Sequence, residues 1–384
     1  VVPGGHKVVR VEFYDGDVKV GEDAAAPYEY LWSGVLPGGH SLKARLVYDA
    51  GSTLDSAAVE VVVANAAPTI SVQPKSLQIY AGLPATFSVS ASGNGGGLAY
   101  QWQCSVDGGQ TWTTLAGTNS SSYTLASVQT ACSYRVIVSD ANGASTSAAA
   151  TLTIKTVPAV GTHADAVLRS KPIAYWELNE IAGSIAYDYA GGNNGALVNG
   201  PVWQPAGGQV GGALALDNAG TQYVNGGKGL ALANKSFSIG AWIKRSALGR
   251  NEFAVAQGSG KTNNGLAFGF RSSNKFTFSF WGNDLDTAAT YTDANWNFWV
   301  GTYDAVTRAR KIYFNGTEVA SGTASANYQG TGDLWLGEGF GDNYVNGALD
   351  EVAIYDTVLS PTDILRQYQA GLGGPSVPAV TLTS

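Results

Sequence analysis

The chain has 384 residues, a formal net charge of −7 and only 13% charged residues, a length that accommodates two or three domains. Its densest basic stretch, Arg308, Arg310 and Lys311, is too small to track a phosphate backbone, which excludes nucleic acid as a partner, and no apolar run is long enough to give a membrane span. Fifty glycines, with short runs of Thr, Val, Tyr and Trp broken by Gly, Asn and Asp, give the composition of an all-β protein rich in tight turns.

Residues 1–66 hold five strand-like runs, KVVRVEFY, DVKVG, PYEYLW, HSLKARLVY and SAAVEVVV, separated by the turn signals DG, EDAAAP, PGG and DAG. The stretch VEFYDGDVKVGEDAAAPYEYLW resembles the bacterial immunoglobulin-like repeats of long secreted and surface proteins. Such a sandwich takes about seven strands in roughly 100 residues. The resemblance therefore implies a partial domain over 1–66 that lacks its first two strands. Val11, Phe13, Tyr28, Tyr30, Leu42 and Val61 are then expected to lack a complete facing layer.

Residues 67–155 follow with PTISVQP, ATFSVSASG, AYQWQCSVDGGQTWTTLAG, SSYTLASV and SYRVIVSDANGASTSAAATLTI. This pattern resembles a complete immunoglobulin-like domain. Trp102 matches the buried tryptophan of the third strand, and Tyr134 stands at the tyrosine corner. The usual inter-sheet cysteines are replaced by Val89 and Val136. Cys104 shares strand parity with Trp102, and Cys132 with Tyr134, so both point inward. In the resembled fold the third and sixth strands are antiparallel neighbours. That implies a cross-strand Cys104–Cys132 disulfide and an oxidising compartment; the alternative is two buried free thiols.

After a linker at 156–162 (TVPAVGT), residues 163–372 carry five ordered blocks. They are AYWELNEIAGSIAYDYAGGNNGALVNG at 174–200, GGALALDNAGTQYVN at 211–225, SFSIGAWIK at 236–244, NWNFWVGTYDAVTRARKIYFNGTEVASG at 295–322 and GALDEVAIYDTVLSPTDILRQY at 347–368. In the last block an apolar strand through Leu349, Val352 and Ile354 runs into a capped helix. Ser360 suits the N-cap, Pro361 the first helical position and Asp363 the capping box. Ile364, Leu365 and Tyr368 share a face, and Gly371 is the stop. Together the blocks resemble the bacterial laminin-G-like, concanavalin A-type jelly roll, in which Trp176, Trp242, Trp296 and Trp335 match core positions. The expected fold is all-β: two immunoglobulin-like sandwiches, the first incomplete, then a concanavalin A-like jelly roll. Helical patterns are confined to about 163–169 and 361–369. The tail at 373–384, GGPSVPAVTLTS, resembles the opening APTISVQP of the second module and reads as a linker and the first strand of a further module. With no Met in the chain, the expectation is a piece processed or excised from a tandem array; the alternative is a subunit that donates its tail strand to a neighbouring copy in a filament.

Three chemistries can be weighed on the jelly roll. Glucanases that share it need acids on one strand face. Asp350 and Glu351 are adjacent, and Glu177 and Glu180 are three apart, so each pair is expected to split between faces. His6 and His40 in the first module and His163 in the third sit in turn-like contexts, and no known catalytic motif occurs. The reading is therefore non-catalytic. The resemblance implies a structural Ca²⁺ at the rim, for which Asp188, Asp350 and Asp217 are the candidate ligands; the alternative is that they cap turns and bind buried amides. For a saccharide, which needs aromatic faces beside amide and carboxylate groups, the candidates are Trp281, Asn283 and Asp284 after the strand KFTFSF, and Asp342, Asn343 and Tyr344 beside Phe340. The alternative is that Trp281 and Tyr344 only cover the sandwich edge. The expected function is a non-catalytic, extracellular (secreted or cell-surface) segment for adhesion or carbohydrate binding, its partner a glycan or a surface protein. The rivals are a structural repeat of a filament, stalk or fibre contacting neighbouring modules or copies, and an accessory region of a polysaccharide-degrading enzyme.

Overall fold

Side chains alternate across a strand, so each module's sheets follow from which residues its strands can bury. The computed structural model describes residues 5–49, 51–64 and 66–373; the tail strand expected near the C-terminus lies outside them.

The first module is one five-stranded antiparallel sheet. Its order is Val18–Asp23, Val8–Asp15, Gly38–Tyr48, Ser52–Asp55, with Val59–Val63 also pairing with Gly38–Tyr48. PYEYLW, expected as a strand, is not one. It crosses the sheet face instead, stacking Tyr30 on Phe13 at 5.9 Å and setting Trp32 edge-on to His40 at 5.1 Å. Gly21 permits this crossing, since a Cβ there would stand 2.3 Å from the Tyr30 ring. The sheet has no second sheet against it among the described residues, and Val59 and Val62 are exposed.

The second module is a sandwich. One sheet runs Thr113–Thr114, Ala99–Ser105, Cys132–Asp140, Ala150–Lys155, Leu77–Tyr80, with the last pair parallel. Facing it are the pairs Ser122–Leu125 with Ala85–Ser88 and Thr69–Val72 with Ser90–Ser92. Trp102, Phe87, Tyr134, Val89 and Val136 are buried between them, as their parity requires. The Trp102 indole is satisfied by donating to the Ser120 carbonyl at 2.9 Å.

The third module packs two eight-stranded sheets face to face. The first centres on Gly347–Tyr355 and Phe237–Arg245, with Asn297–Tyr303 beyond. The second runs through Tyr223–Gly227, Leu334–Leu336, Glu252–Gly258, Gly265–Phe270 and Phe276–Ser279. Between them lies an aromatic core in which Phe276 stacks on Trp299 at 3.9 Å. Each such side chain, fully buried, contributes about 1.5–3 kcal/mol.

The outer face of the first sheet is covered by helices α1 (His163–Arg169) and α2 (Pro361–Gly371) and by Tyr80 of the second module. The α2 cap is as expected, with Ser360 accepting the Asp363 N–H at 3.1 Å. On its packed side Gln367 is buried, whereas Leu365 is exposed. His163, expected in a turn, is the first residue of α1; it is buried, and its Nδ1 pairs with the Gln367 carbonyl at 2.8 Å.

A β-bulge interrupts strand Gly347–Tyr355. Trp242 pairs with Asp350 and Gly240 with Ala353, so the strand carries one extra residue, and Glu351 takes φ 54°. Leu349 and Val352 enter the core, leaving Asp350 and Glu351 together on the outer face. The expectation that adjacency splits them is thereby corrected.

Candidate functional site

The second sheet of the jelly roll has an outer face as well. In strand Leu334–Leu336 the two leucines enter the core, so Trp335 points outward. Asn225 and Ala256 pair beside it on neighbouring strands. Beyond Leu336 the chain leaves the sheet at Gly337 (φ 86°) and folds residues 338–346 back over that face. Phe340, itself at φ 62°, pins this loop. Its ring meets Trp281 at 5.0 Å, Phe253 at 6.2 Å and Trp335 at 6.4 Å. Gly265 is required beneath it, because a Cβ there would lie 2.6 Å from the Ser259 carbonyl oxygen and 3.0 Å from the ring.

The fold-back leaves a cavity of about 430 Å³ lined by Tyr223, Ser259, Trp335, Glu338, Phe340 and Tyr344, with glycines at its rim. Tyr223 and Tyr344 approach to 6.2 Å between ring centroids. Glu338 is 4% exposed. One of its oxygens accepts the Gly341 N–H, and burial pushes its carboxyl above the usual range. The cavity thus offers flat aromatic surface, tyrosine hydroxyls and one carboxylate.

Of the residues named for a saccharide, Tyr344 lines this cavity. Trp281 stands at its rim, 40% exposed and so close to Gly260 that a Cβ there would come within 3.1 Å. Asn343 donates from Nδ2 to the Gly339 carbonyl at 2.9 Å and to Asp342, which fixes the loop. Asn283 and Asp284 face elsewhere. Asn283 is buried and accepts Arg310 through both its carbonyls, and Asp284 pairs with Arg271 at 3.0 Å and with Ser279. Trp335, assigned from sequence to the core, is half-buried and lines the cavity. Tyr223 and Glu338 were not singled out; their outward parity beside Val224 and the Gly-rich run 337–341 were the available signals.

The three aspartates considered for calcium do not assemble into one oxygen cluster. Asp188 is fully buried and accepts N–H groups from Tyr175, Ala190, Gly191 and Asn193 at 2.7–3.0 Å, plus the Asn193 amide. Asp350 accepts the Val210 N–H at 2.9 Å. Asp217 accepts the Ala219 N–H at 2.9 Å in a turn. Among the described residues no group of three or more His, Cys, Asp or Glu is placed to hold a metal ion.

The bulge instead gathers Asp350 and Glu351 near Glu177, under the second module. Tyr175 donates its hydroxyl to Glu351, and His163 Nε2 lies 4.0 Å from the same carboxylate. Burial, with repulsion from the neighbouring carboxylates, pushes both Asp350 and Glu351 well up. All three acids are at most 4% exposed, so the group is built into a junction rather than offered to a substrate.

Cys104 and Cys132, expected to bridge, stand in the structure as two thiols. Both face inward, but the partner directly opposite Cys104 is Tyr134, so Cys132 is a diagonal neighbour. The two sulfurs nonetheless lie close enough for a hydrogen bond between them. Cys132 donates to the Ser105 carbonyl at 3.2 Å, and burial pushes its thiol up to about 11.

Family models match three parts of the chain. Residues 218–365 match the family described as the concanavalin A-like lectin/glucanases superfamily, residues 4–44 match the bacterial Ig domain, and residues 69–156 match a domain family of unknown function. No curated protein matches the sequence. Among solved structures, the chain is similar to domain 4 of AbnA, a GH43 extracellular arabinanase from Geobacillus stearothermophilus in complex with arabinotriose. That likeness has 19% identity and a TM-score of 0.41, covering 52% of this chain and 98% of that one. It is also similar to the CBM40 of the Ruminococcus gnavus IT-sialidase bound to α2,3 sialyllactose (16% identity, TM-score 0.30, 35% and 82% covered). A third likeness is to the botulinum neurotoxin type G receptor binding domain (15% identity, TM-score 0.38, 52% and 51% covered). The protein is thus an all-β chain whose N-terminal module is of the bacterial immunoglobulin type and whose C-terminal module is a concanavalin A-like jelly roll.

Proposed function

We propose that the jelly roll is a non-catalytic carbohydrate-binding module of an extracellular protein, and that the immunoglobulin-like modules carry it. The observation that supports this most is the cavity under the 338–346 loop, where Trp335, Phe340, Tyr223 and Tyr344 surround Glu338. Sugar C–H faces stack on aromatic rings, and sugar hydroxyls pair with carboxylate and phenol oxygens. Concave, largely apolar sites with a few convergent polar groups are the usual form of a small-molecule site. The matched superfamily includes lectins by its own description, which agrees with the reading at the level of fold. Adhesion through a surface glycan is the finer form of this proposal.

A glycan array probed with the full chain tests it. Retention of at least one glycan, lost with Tyr344→Ala, is the expected result. No retained glycan, or retention indifferent to Tyr344 and Trp281, would remove the proposal.

A further inference from the structure

The cavity also carries a charge signature. Glu338 is the one carboxylate in its lining, and no Lys, Arg or His lines it. Lys261, next along the rim loop from Gly260, is exposed and does not line it, and Asp342 is exposed at the opposite loop. One Glu338 oxygen is held by the Gly341 N–H, and the other has no protein partner among the described residues. The chain as a whole carries −7, so the long-range field adds to the local one for any anion.

We propose that Glu338 makes this cavity selective for uncharged saccharides and excludes sugars that carry a carboxylate. The inference rests on the carbohydrate reading above and names the class of ligand. An ionised carboxylate accepts hydrogen bonds and donates none. It pairs with a neutral sugar hydroxyl, which donates. A uronic or sialic carboxylate brings a second acceptor of like charge into a site that is partly shielded from water, where repulsion is stronger than in bulk solvent. An acidic sugar would need a counter-charge at the site, and the lining supplies none. Trp335 and Tyr344 do not discriminate on charge, so Glu338 is the residue on which the selection depends.

The test uses the full chain at neutral pH against pairs that differ in acidic groups: lactose with 3′-sialyllactose, methyl-esterified with de-esterified polygalacturonate, and xylan with glucuronoxylan. The neutral member of any bound pair is expected to bind at least about tenfold more tightly. Glu338→Gln should narrow that ratio to about threefold or less while neutral binding persists. In the wild type the ratio should also narrow between about 0.05 M and about 0.5 M salt, which provides a reading even where the substitution disturbs the loop. An acidic member bound as tightly as its neutral partner, with binding still lost in Tyr344→Ala, would overturn the selectivity and leave the carbohydrate reading standing. If no pair binds, and the array retains nothing, both fall together.

Discussion

Glu177 of the jelly roll accepts a hydrogen bond from the hydroxyl of Tyr80, a residue of the second immunoglobulin-like module. The same carboxylate takes Lys155 of that module and the Asn179 amide, while Tyr80 N–H donates to the Tyr189 carbonyl at 3.1 Å. Lys155 also lies 4.0 Å over the Tyr189 ring, and Asn194 reaches the Ser76 carbonyl at 3.0 Å. Taking a carboxylate out of water is costly unless donors pair with it. The two modules therefore dock through a satisfied polar hub set in an aromatic surround, not through a bare linker.

Tyr80→Phe removes one donor from this hub and keeps the ring. It should cost about 1–3 kcal/mol, the usual penalty for leaving a buried acceptor short. Urea denaturation followed by tryptophan fluorescence reads it. An unchanged midpoint would mean that the hub contributes nothing to docking.

His163 gives a signed pH effect. Burial holds its imidazole down at about 4, against an ordinary value of 6.5. The unfolded chain then binds the proton first, so stability is full above about pH 6.5 and is lost as pH falls towards 4. Relative to His163→Gln, the wild type should lose about 3 kcal/mol between neutral pH and pH 4. Glu351 acts in the opposite direction: its raised folded value makes the native state bind the extra proton, so its contribution fades as pH rises above the unfolded carboxyl range. Glu351→Gln should therefore gain on the wild type as pH rises. Differences that do not change with pH would contradict both assignments.

Asp188 spends both oxygens on five N–H donors of its own loop and of strand Ala174–Trp176. Asp188→Ala should destabilise the jelly roll by about 3 kcal/mol or more, because several buried donors lose their acceptor at once. Melting in Ca²⁺ and in EGTA should give the same midpoint. A rise in Ca²⁺ that Asp188→Ala abolishes would return this residue to a metal site.

Thiol titration settles the cysteine state. In denaturant without reductant, both Cys104 and Cys132 should react. In the native protein Cys132 should react slowly, since it is buried and its thiol is pushed up to about 11. No reactive thiol in denaturant would mean a bridge.

The module order was legible through the resemblance of the chain's blocks to known folds, and both short helices through hydrophobic pattern and capping signals, which are local. Trp102, Val89, Val136 and Ser360 stand where that reasoning puts them. It failed wherever local periodicity was broken by tertiary demands. Parity separates Asp350 from Glu351 only if the ladder is unbroken, and the bulge opposite Ala241 breaks it. PYEYLW has strand composition, but Tyr30 and Trp32 gain more by packing across a sheet face than by extending its ladder. Trp281 and Tyr344 were found by composition, whereas Glu338 and Trp335 became site residues only through the fold-back of residues 338–346, which no local signal announces.

The claim that this cavity binds sugar is tested most directly by titration calorimetry of the full chain with a glycan retained on the array, beside Tyr344→Ala and Trp281→Ala. Base-free aromatic stacking and hydroxyl pairing of this kind should make each substitution cost about tenfold or more in affinity, with the melting temperature of Tyr344→Ala nearly unchanged. Affinity that survives both substitutions in folded protein would contradict the account.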